Sequence, residues 1–489
     1  MSSNAKKKGL WSRYWDISSV AQTAHRGENP LSLIIKGLQS MLVMFGATII
    51  VPLSLGMSPQ VTLFGMGVGT LIFLILTKGK SPLTMGSSFA FMIGVFGIID
   101  RRGGPFPDRF YEIDEYPHEA YEVMFTHDER LQYALGGIIV AGAVYLLFSA
   151  LVKAIGANKF MNILPHAVTG PTVVLIGVTL APHAVSQFAT NWILGPLTLI
   201  VIIAVMVFGK GKVKAFPILI GLVGAYLLAT VLQLTGIAIP AGSYVDEVYV
   251  AGYIVNYAPI LEAISDGRIF GLPPFLTPKF ALAPILMMAP FALATVAENI
   301  ADHVIVGAEM GEDLVREKPG LSRTLFADGV QSMLVAAFGT PMNTTYSENV
   351  GLLIITKVFS SIVVAIGAVF AILLGLSPLF AEVINSIPLA IIGGASFMLY
   401  GMIASIGMRN VKEHVDLNIV KYLIIMSVML VVGIGLRFTP TPIMLEIADY
   451  SIRLDRMNLP AAIILGVILN AVLPADVGQK GETKSKKAK

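Results

Sequence analysis

Residues 85–95 read MGSSFAFMIGV and residues 342–352 read MNTTYSENVGL. Met, Ser/Thr, Ser/Thr, Phe/Tyr, Ala/Ser, Ile/Val, Gly and Val/Leu correspond position for position at an offset of 257. Both stretches follow a proline, Pro82 or Pro341, and both are unusual as helix because Gly, Ser, Thr and aromatics crowd together. We read each as a short extended strand leading into a half-helix. A second correspondence pairs Asn162, Leu164, Pro165, Ala167, Val168 and Gly170 with Asn385, Ile387, Pro388, Ala390, Ile391 and Gly393 at an offset of 223. The two offsets differ by 34, so the first half must carry about that many additional residues between its matched segments. The stretch 99–132 has the right size, is polar, and holds nine Asp/Glu against four Arg.

The surroundings of these segments are apolar. Of 489 residues, 55% are hydrophobic and only 13% charged, with a mean hydropathy of +0.76. A typical soluble domain is about 25% charged, so the solvent for this chain is lipid. The absence of cysteine excludes disulfides, thiolate metal sites and cysteine catalysis. The N-terminus is basic without an h-region or cleavage site, which predicts no removable signal peptide. A helix needs about 20 apolar residues to cross a bilayer. Fourteen candidates lie near 31–54, 58–77, 83–98, 131–152, 163–181, 190–208, 215–237, 282–303, 322–339, 341–357, 358–377, 383–407, 418–436 and 459–474.

Short-loop Lys and Arg set the orientation. With Lys6, Lys7 and Lys8 inside, alternate loops place Lys78 and Lys80, Lys153 and Lys159, Lys210, Lys212 and Lys214, Arg316, Lys318 and Arg323, Lys357, and Arg409 and Lys412 on the same side. The basic tail 480–489 joins them, whereas the loops at 54–58, 182–189 and 377–380 contain neither residue. Arg437, Arg453 and Arg456, in the last outer loop, fit worst.

Seven spans per half is odd, so the halves run in opposite senses across the membrane, an arrangement that places substrate sites near the midplane at the repeat interface. The expected fold is therefore an all-α polytopic membrane protein: fourteen spans as two inverted seven-helix repeats, with short strands in spans 3 and 10. The expected organisation is a cytoplasmic tail (1–29), a first repeat (30–237) with the outer insertion 99–132, an outer linker (238–281), a second repeat (282–475) and a basic cytoplasmic tail (476–489).

Four acids fall inside the spans: Glu298, Asp302, Asp328 and Glu348. An intramembrane Asp costs at least about 2.5–3.5 kcal/mol on insertion scales and is a functional candidate by default. Without a cation nearby, such acids are suited to taking up and releasing protons. Glu298 and Asp302 are i,i+4 and share a helix face. Their neighbour His303 points about 100° away and is expected at the membrane interface. Glu348 stands where the predicted strand meets its half-helix, and its carboxylate could accept from two adjacent N–H donors of a planar ligand. Asn349 adds a donor and an acceptor. Phe89 and Tyr346, equivalent in the repeat, would bring two aromatic faces to one locus.

The segments 29–33 with 37–53 (GLQSMLVMFGATIIVPL), 78–92 (KGKSPLTMGSSFAFM), 290–303 (PFALATVAENIADH), 318–329 (KPGLSRTLFADG) and 338–360 (FGTPMNTTYSENVGLLIITKVFS) resemble the uracil–xanthine permeases of the nucleobase–ascorbate transporter family. The resemblance runs from about 29 to 475, with 99–132 outside it. The family signature is met by Glu348, Asn349, Gly351, Thr356 and Lys357. It implies a core domain (spans 1–4 and 8–11) and a gate domain (spans 5–7 and 12–14) in elevator-like motion, usually as a homodimer. It implies substrate bonded by Glu298, Glu348 and the backbone around Ser347, with Phe89 packed against it and Tyr346 and Ala47 beside it. Proton coupling is implied for Glu298 and Asp302, with Asp328 as a further candidate. Asp302 and Asp328, where uracil permeases usually carry His and Asn, are similar to the xanthine and purine branch. Glu348 is similar to the uracil branch, and Gln39–Ser40 replaces a Gln–His pair.

The expected function is proton-coupled uracil import at the cell (inner) membrane, with xanthine as the alternative substrate, both termini cytoplasmic, no cofactor beyond the co-transported proton, no metal and no nucleic-acid partner. An anion exchanger of the same seven-plus-seven architecture is the remoter alternative, disfavoured by two carboxylates at one locus. An intramembrane enzyme is disfavoured because no Ser/His/Asp set, HExxH or GxSxG is present. A channel suits the paired acids less well than alternating access does.

Overall fold

In lipid, every backbone N–H and C=O must find its partner inside the protein, which leaves helix as the default for each apolar segment. The structure, a computed structural model, describes residues 29–99, 126–210, 213, 216–235, 242–245, 248–251, 255–439, 443–447 and 450–474. The side chains of Ala47, Ser347, Glu348 and Asn349 fall outside the described set.

The first part of the chain forms α1 (Pro30–Leu55), α2 (Pro59–Leu76), β1 (Met85–Ser87), α3 (Phe89–Ile99), α4 (His127–Ile155), α5 (Ala157–Ile163), α6 (His166–Phe188), α7 (Leu194–Phe208) and α8 (Pro217–Leu234). A hairpin of β2 (Gly242–Val245) and β3 (Val248–Ala251) and the short α9 (Ala258–Ser265) follow. The second part forms α10 (Leu282–Met288), α11 (Ala292–Met310), α12 (Leu321–Ala336), β4 (Asn343–Thr345), α13 (Ser347–Thr356), α14 (Ser361–Gly375), α15 (Pro378–Asn385), α16 (Leu389–His414) and α17 (Val420–Arg437). It ends with the hairpin β5 (Met444–Ile447) and β6 (Tyr450–Arg453), then α18 (Asn458–Val472).

Each of the fourteen apolar stretches carries helix. Among the described residues, eight helices are long and apolar enough to cross a membrane, or up to nine if the bent pair α14–α15 counts as one span. Large apolar side chains lie bare on the outer helices, such as Leu147, Phe208, Leu234, Val431 and Val472, each at least 70% exposed. That surface suits lipid. The protein is a mostly helical, multi-pass membrane protein.

Several expectations need correction. Of three two-stranded sheets, the one formed by β1 and β4 falls where short strands were expected, whereas the hairpins β2–β3 and β5–β6 had no counterpart in the sequence reading. The outer linker 238–281 contains one of those hairpins and a helix. The last residues of the stretch 99–132, read as an insertion, are helical. A capping box in which Glu129 N donates to Thr126 Oγ1 (3.2 Å) and Thr126 N to Glu129 Oε2 (3.1 Å) starts α4 at His127. Residues 100–125 lie outside the described set.

The two segments quoted at the outset do form strands, and they meet. β1 and β4 pair antiparallel with Met85 opposite Thr345, Gly86 opposite Thr344 and Ser87 opposite Asn343. Ser88 N adds a bond to Met342 O at 2.8 Å. A strand at membrane depth needs its remaining edge satisfied. Thr70 does this for β1, accepting from Met85 N at 3.1 Å. Gln331 Nε2 (2.5 Å) and the Ser332 hydroxyl donate to Asn343 O on β4.

The helices sort into two groups that pack chiefly within themselves: α1–α4 with α10–α14, and α6–α8 with α16–α18. The second group is built on the antiparallel pair α6 and α16, each of which starts directly after the proline that the second sequence correspondence matched, Pro165 or Pro388. Their backbones come so close that a Cβ on Gly407 would stand 2.6 Å from Val174 N. In lipid, such small-residue contact is what holds two helices together.

Candidate functional site

A small cavity of about 20 Å³ lies where the two helix groups face each other. Phe89 and Ala90, in the first turn of α3, and Glu298, midway along α11, line one side. Val173 and Ile176 of α6 and Ile403 and Ile406 of α16 line the other. A small-molecule pocket typically has about 300–1,000 Å³, mostly apolar walls and a few directed polar groups; this cavity has such walls but is closed down to about 20 Å³, the room of a single water. Its chemistry is one half-buried carboxyl, one aromatic face and an aliphatic wall.

The strand pair aims the aromatics. The Phe89 ring lies 6.5 Å from that of Tyr346, inclined at 51°, and 5.7 Å from that of Tyr400 on α16, nearly edge-on at 73°. Gly86 in β1 makes room for Tyr346, because a Cβ there would overlap the tyrosine ring. Phe89 and Tyr346 thus come together as the sequence suggested, and Glu298 shares the cavity with Phe89.

Two further cavities continue along the same face of α6. At its first turns, a space of about 320 Å³ is lined by His166, Ala167 and Thr169, by Ala297, Ile300 and Ala301 of α11, and by His414 of α16. At its far end, about 220 Å³ is lined by Thr179, Leu180 and His183 facing Ile93, Phe96 and Ile99 of α3. His166 and His183 are about 25 Å apart along the helix at 1.5 Å per residue, close to the ~30 Å of bilayer hydrocarbon. One seam between the two helix groups therefore carries all three cavities, with Glu298 at the middle one.

Behind the strands is a buried polar knot. Asp328 on α12 has no solvent exposure. Its carboxylate accepts from Asn299 Nδ2 (2.9 Å), Gln331 Nε2 (2.9 Å) and the Thr345 backbone N–H of β4. Asn343 Nδ2 donates to Gln331 Oε1 at 3.2 Å, and the Thr324 hydroxyl to Asn299 Oδ1 at 3.4 Å. Asp328 stands two turns inside α12 and holds β4 against α11. Asp302 is likewise interior: α11 runs on to Met310 and leaves the carboxyl-bearing residue 2% exposed, one turn beyond Glu298. His303 is not interfacial. It is fully buried, with Nδ1 against Asn299 O (2.7 Å) and Nε2 against Ser81 Oγ (3.0 Å).

Ser347, Glu348 and Asn349 occupy the first turn of α13, and Ala47 lies within α1; their side chains are outside the described residues. Gln39 and Ser40 line a separate cavity with Lys36, Leu353 and Thr356. The opposite wall of the central cavity, Val173, Ile176, Ile403 and Ile406, was not foreseen. The one pointer was the Pro-to-Gly match at the starts of α6 and α16, which marks the two helices but not the residues.

A family profile described as "Permease family", that of the xanthine and uracil permeases, matches residues 31–441. The chain belongs to this family. It is 32% identical to the uracil permease of Bacillus subtilis (strain 168) over 474 residues, 93% of this chain and 95% of that one. It is 33% identical to the uracil permease of Escherichia coli (strain K12) over 417 residues, 83% of this chain and 85% of that one. Membership makes it a transporter. Among solved structures, the transmembrane domain of a cyanobacterial bicarbonate transporter superposes with a TM-score of 0.55 at 14% identity, covering 90% of this chain and 96% of that one. At that identity the likeness concerns the fold, which permeases share with anion carriers.

Proposed function

We propose that this permease imports uracil with protons, moving the base along the seam between the two helix groups. The observation that carries this reading is the placement of Glu298. A half-buried acid faces Phe89 across a cavity midway along a membrane-length interface, in a chain whose relatives include uracil permeases. A carboxyl there can bond the N–H edge of a planar base while the base packs on Phe89. Glu348 at the head of α13 would complete the hydrogen bonding, with Ser347, Asn349, Tyr346 and Ala47 around it.

The coupling step follows from electrostatics. Protonated Glu298 would bind base with a neutral pocket, and a neutral pocket crosses a low-dielectric seam at lower cost than a charged one. Release inside would return the proton. Asp302, buried one turn away on the same face, would titrate together with Glu298. Asp328 would act through the strand it holds.

The architecture proposed is fourteen spans in two inverted repeats, 30–237 and 282–475. The group containing α3 and α11 would act as core and the group containing α6 and α16 as gate, in elevator-type exchange. The protein would form homodimers in the inner membrane with both termini cytoplasmic. Xanthine is the second reading, favoured by one observation: the knot receives Asp328, the residue similar to the purine branch, with three directed donors.

Thermal stabilisation of the purified protein by uracil, thymine, xanthine, guanine, adenine and sulfate tests the substrate, since a ligand that binds only the folded state raises its melting point. Uracil is expected to give the largest shift. A response to xanthine alone would move the assignment to the purine branch, and a response to sulfate alone would replace the base by an anion.

A further inference from the structure

The far cavity of the seam holds charges that transport at Glu298 leaves unused. Arg437, the last residue of α17, and Arg456, in the turn before α18, line its approximately 220 Å³ together with His183, Phe96 and Ile93. These are two of the arginines that fit the short-loop charge pattern worst, on the face opposite the Lys/Arg-rich loops. Charge placed against the distribution that sets topology, inside a membrane-length seam, points to function.

The geometry is that of a built pocket. Phe96 and His183 lie ring on ring across the boundary between the two helix groups, with centroids 4.2 Å apart. His183 Nε2 is buried and has no hydrogen-bond partner among the described residues. The Arg456 side chain is only 15% exposed, with Nε 3.5 Å from Asp455 Oδ2. Its stem rests on α3 because residue 97 is glycine: a Cβ there would stand 3.1 Å from Arg456 Cβ. Two guanidinium groups thus line one cavity beside an apolar floor, Arg456 with the Asp455 carboxylate next to it. α3 supplies Phe89 and Ala90 to the central cavity and Ile93 and Phe96 to this one, so the two spaces lie one to two turns apart on one helix face.

We propose that this outer cavity is a capture site for heterocycles that carry ring carbonyl oxygens, occupied before the base reaches Glu298. The inference rests on the nucleobase reading above. Arginine presents a rigid fork of N–H donors and has no acceptor. Arg437 and Arg456 would therefore donate to the carbonyl oxygens of an oxo-pyrimidine or oxo-purine, His183 Nε2 would serve the ring N–H or nitrogen edge, and the ring would lie against Phe96. A base bearing amino groups sets donors against donors at the same place, and a polar site rejects such a mismatch strongly.

The test is initial-rate uptake of radiolabelled uracil by the reconstituted full-length protein over a concentration series. Arg437→Gln and Arg456→Gln are expected to raise KM about tenfold, the worth of one charge-assisted hydrogen bond, with Vmax changed less than about twofold. Arg437→Lys should recover part of the loss. His183→Phe, which keeps a ring against Phe96, should raise KM about threefold, as befits a neutral hydrogen bond. An unchanged KM in both arginine variants, or a fall in Vmax at constant KM, overturns the capture site and leaves the arginines as struts. Wild-type protein that takes up no base overturns the transport reading and this inference with it. Wild-type uptake with unaltered variants overturns the capture site alone.

Discussion

Successive residues of α11 face two different worlds. Glu298 turns to the cavity in front of the strand pair, half-buried and opposite aliphatic side chains. Asn299, about 100° further round the helix, turns to the knot behind it, where its amide donates to fully buried Asp328. Both regions contain an intramembrane acid, and behind the strands the Asp328 carboxylate is held by directed donors. A carboxylate that accepts from three fixed N–H groups belongs to the scaffold, because any change in its charge or size leaves those donors unpaired. A carboxyl at a cavity wall can exchange partners with a passing ligand. The contrast divides the candidate residues into those that hold the strands and those that meet the substrate.

The sharpest way to break this division is Glu298→Gln. It keeps size and hydrogen bonding but cannot exchange a proton. Accumulation of uracil driven by a pH gradient is expected to fall at least about a hundredfold, the scale on which a positioned acid–base group acts, with thermal stability of the unliganded protein near that of wild type. Retained gradient-driven accumulation would remove Glu298 from the coupling role.

The counterpart behind the strands is Asp328→Ala. Asn299, Gln331 and the Thr345 N–H would each lose an acceptor in a dry interior. The expected loss is about 3–5 kcal/mol of stability, at about 1–3 kcal/mol for each buried donor left unsatisfied, read as a fall in the detergent melting transition. Asp328→Asn, which restores one acceptor, should recover a good part of it. A stable Asp328→Ala protein with defective proton coupling would reverse the contrast and make Asp328 a proton carrier. In front, Phe89→Ala removes the aromatic face of the cavity. It should weaken base binding about tenfold by calorimetry, since an aromatic contact with its buried area is worth about 1–2 kcal/mol. A change confined to stability would place Phe89 with the scaffold.

The same division explains what could be read from sequence. The strands were legible because Gly, Ser and Thr after Pro82 and Pro341 stand out against apolar helices, and because lipid makes every polar residue at depth conspicuous. Glu298, Asp302 and Asp328 were found for that reason. The wall of Val173, Ile176, Ile403 and Ile406 was not, because lipid-facing and cavity-facing aliphatics look alike when the solvent is itself apolar; the amphipathic contrast that marks a soluble helix is missing. His303 was misplaced for a related reason. Helical period gave its direction around α11, but whether that direction meets lipid headgroups or Ser81 depends on a contact 222 residues away in the chain. The knot as a unit escaped notice because Asn299, Gln331 and Asn343 come from three separate segments and each alone resembles an ordinary polar residue near a helix end.

The smallest effect is expected at Thr70, and it refines the boundary between holding and binding. Its hydroxyl accepts from Met85 N at 3.1 Å and lies 3.4 Å from Met85 O, closing the outer edge of β1. Thr70→Val preserves shape and leaves that N–H without its partner. A buried unsatisfied backbone donor costs about 1–3 kcal/mol, so the melting transition should fall by an amount corresponding to the low end of that range. Phe89 begins α3 only two residues after β1 ends, so a strand that shifted would also move the aromatic face. A KM for uracil within about twofold of wild type, alongside the lowered stability, would mean that the strand pair keeps its register without Thr70, held by its pairing with β4 and by the knot. A KM that rises as far as in Phe89→Ala would mean that the edge contact at Thr70 sets the position of the binding ring, and the line between scaffold and site would then run through β1 itself.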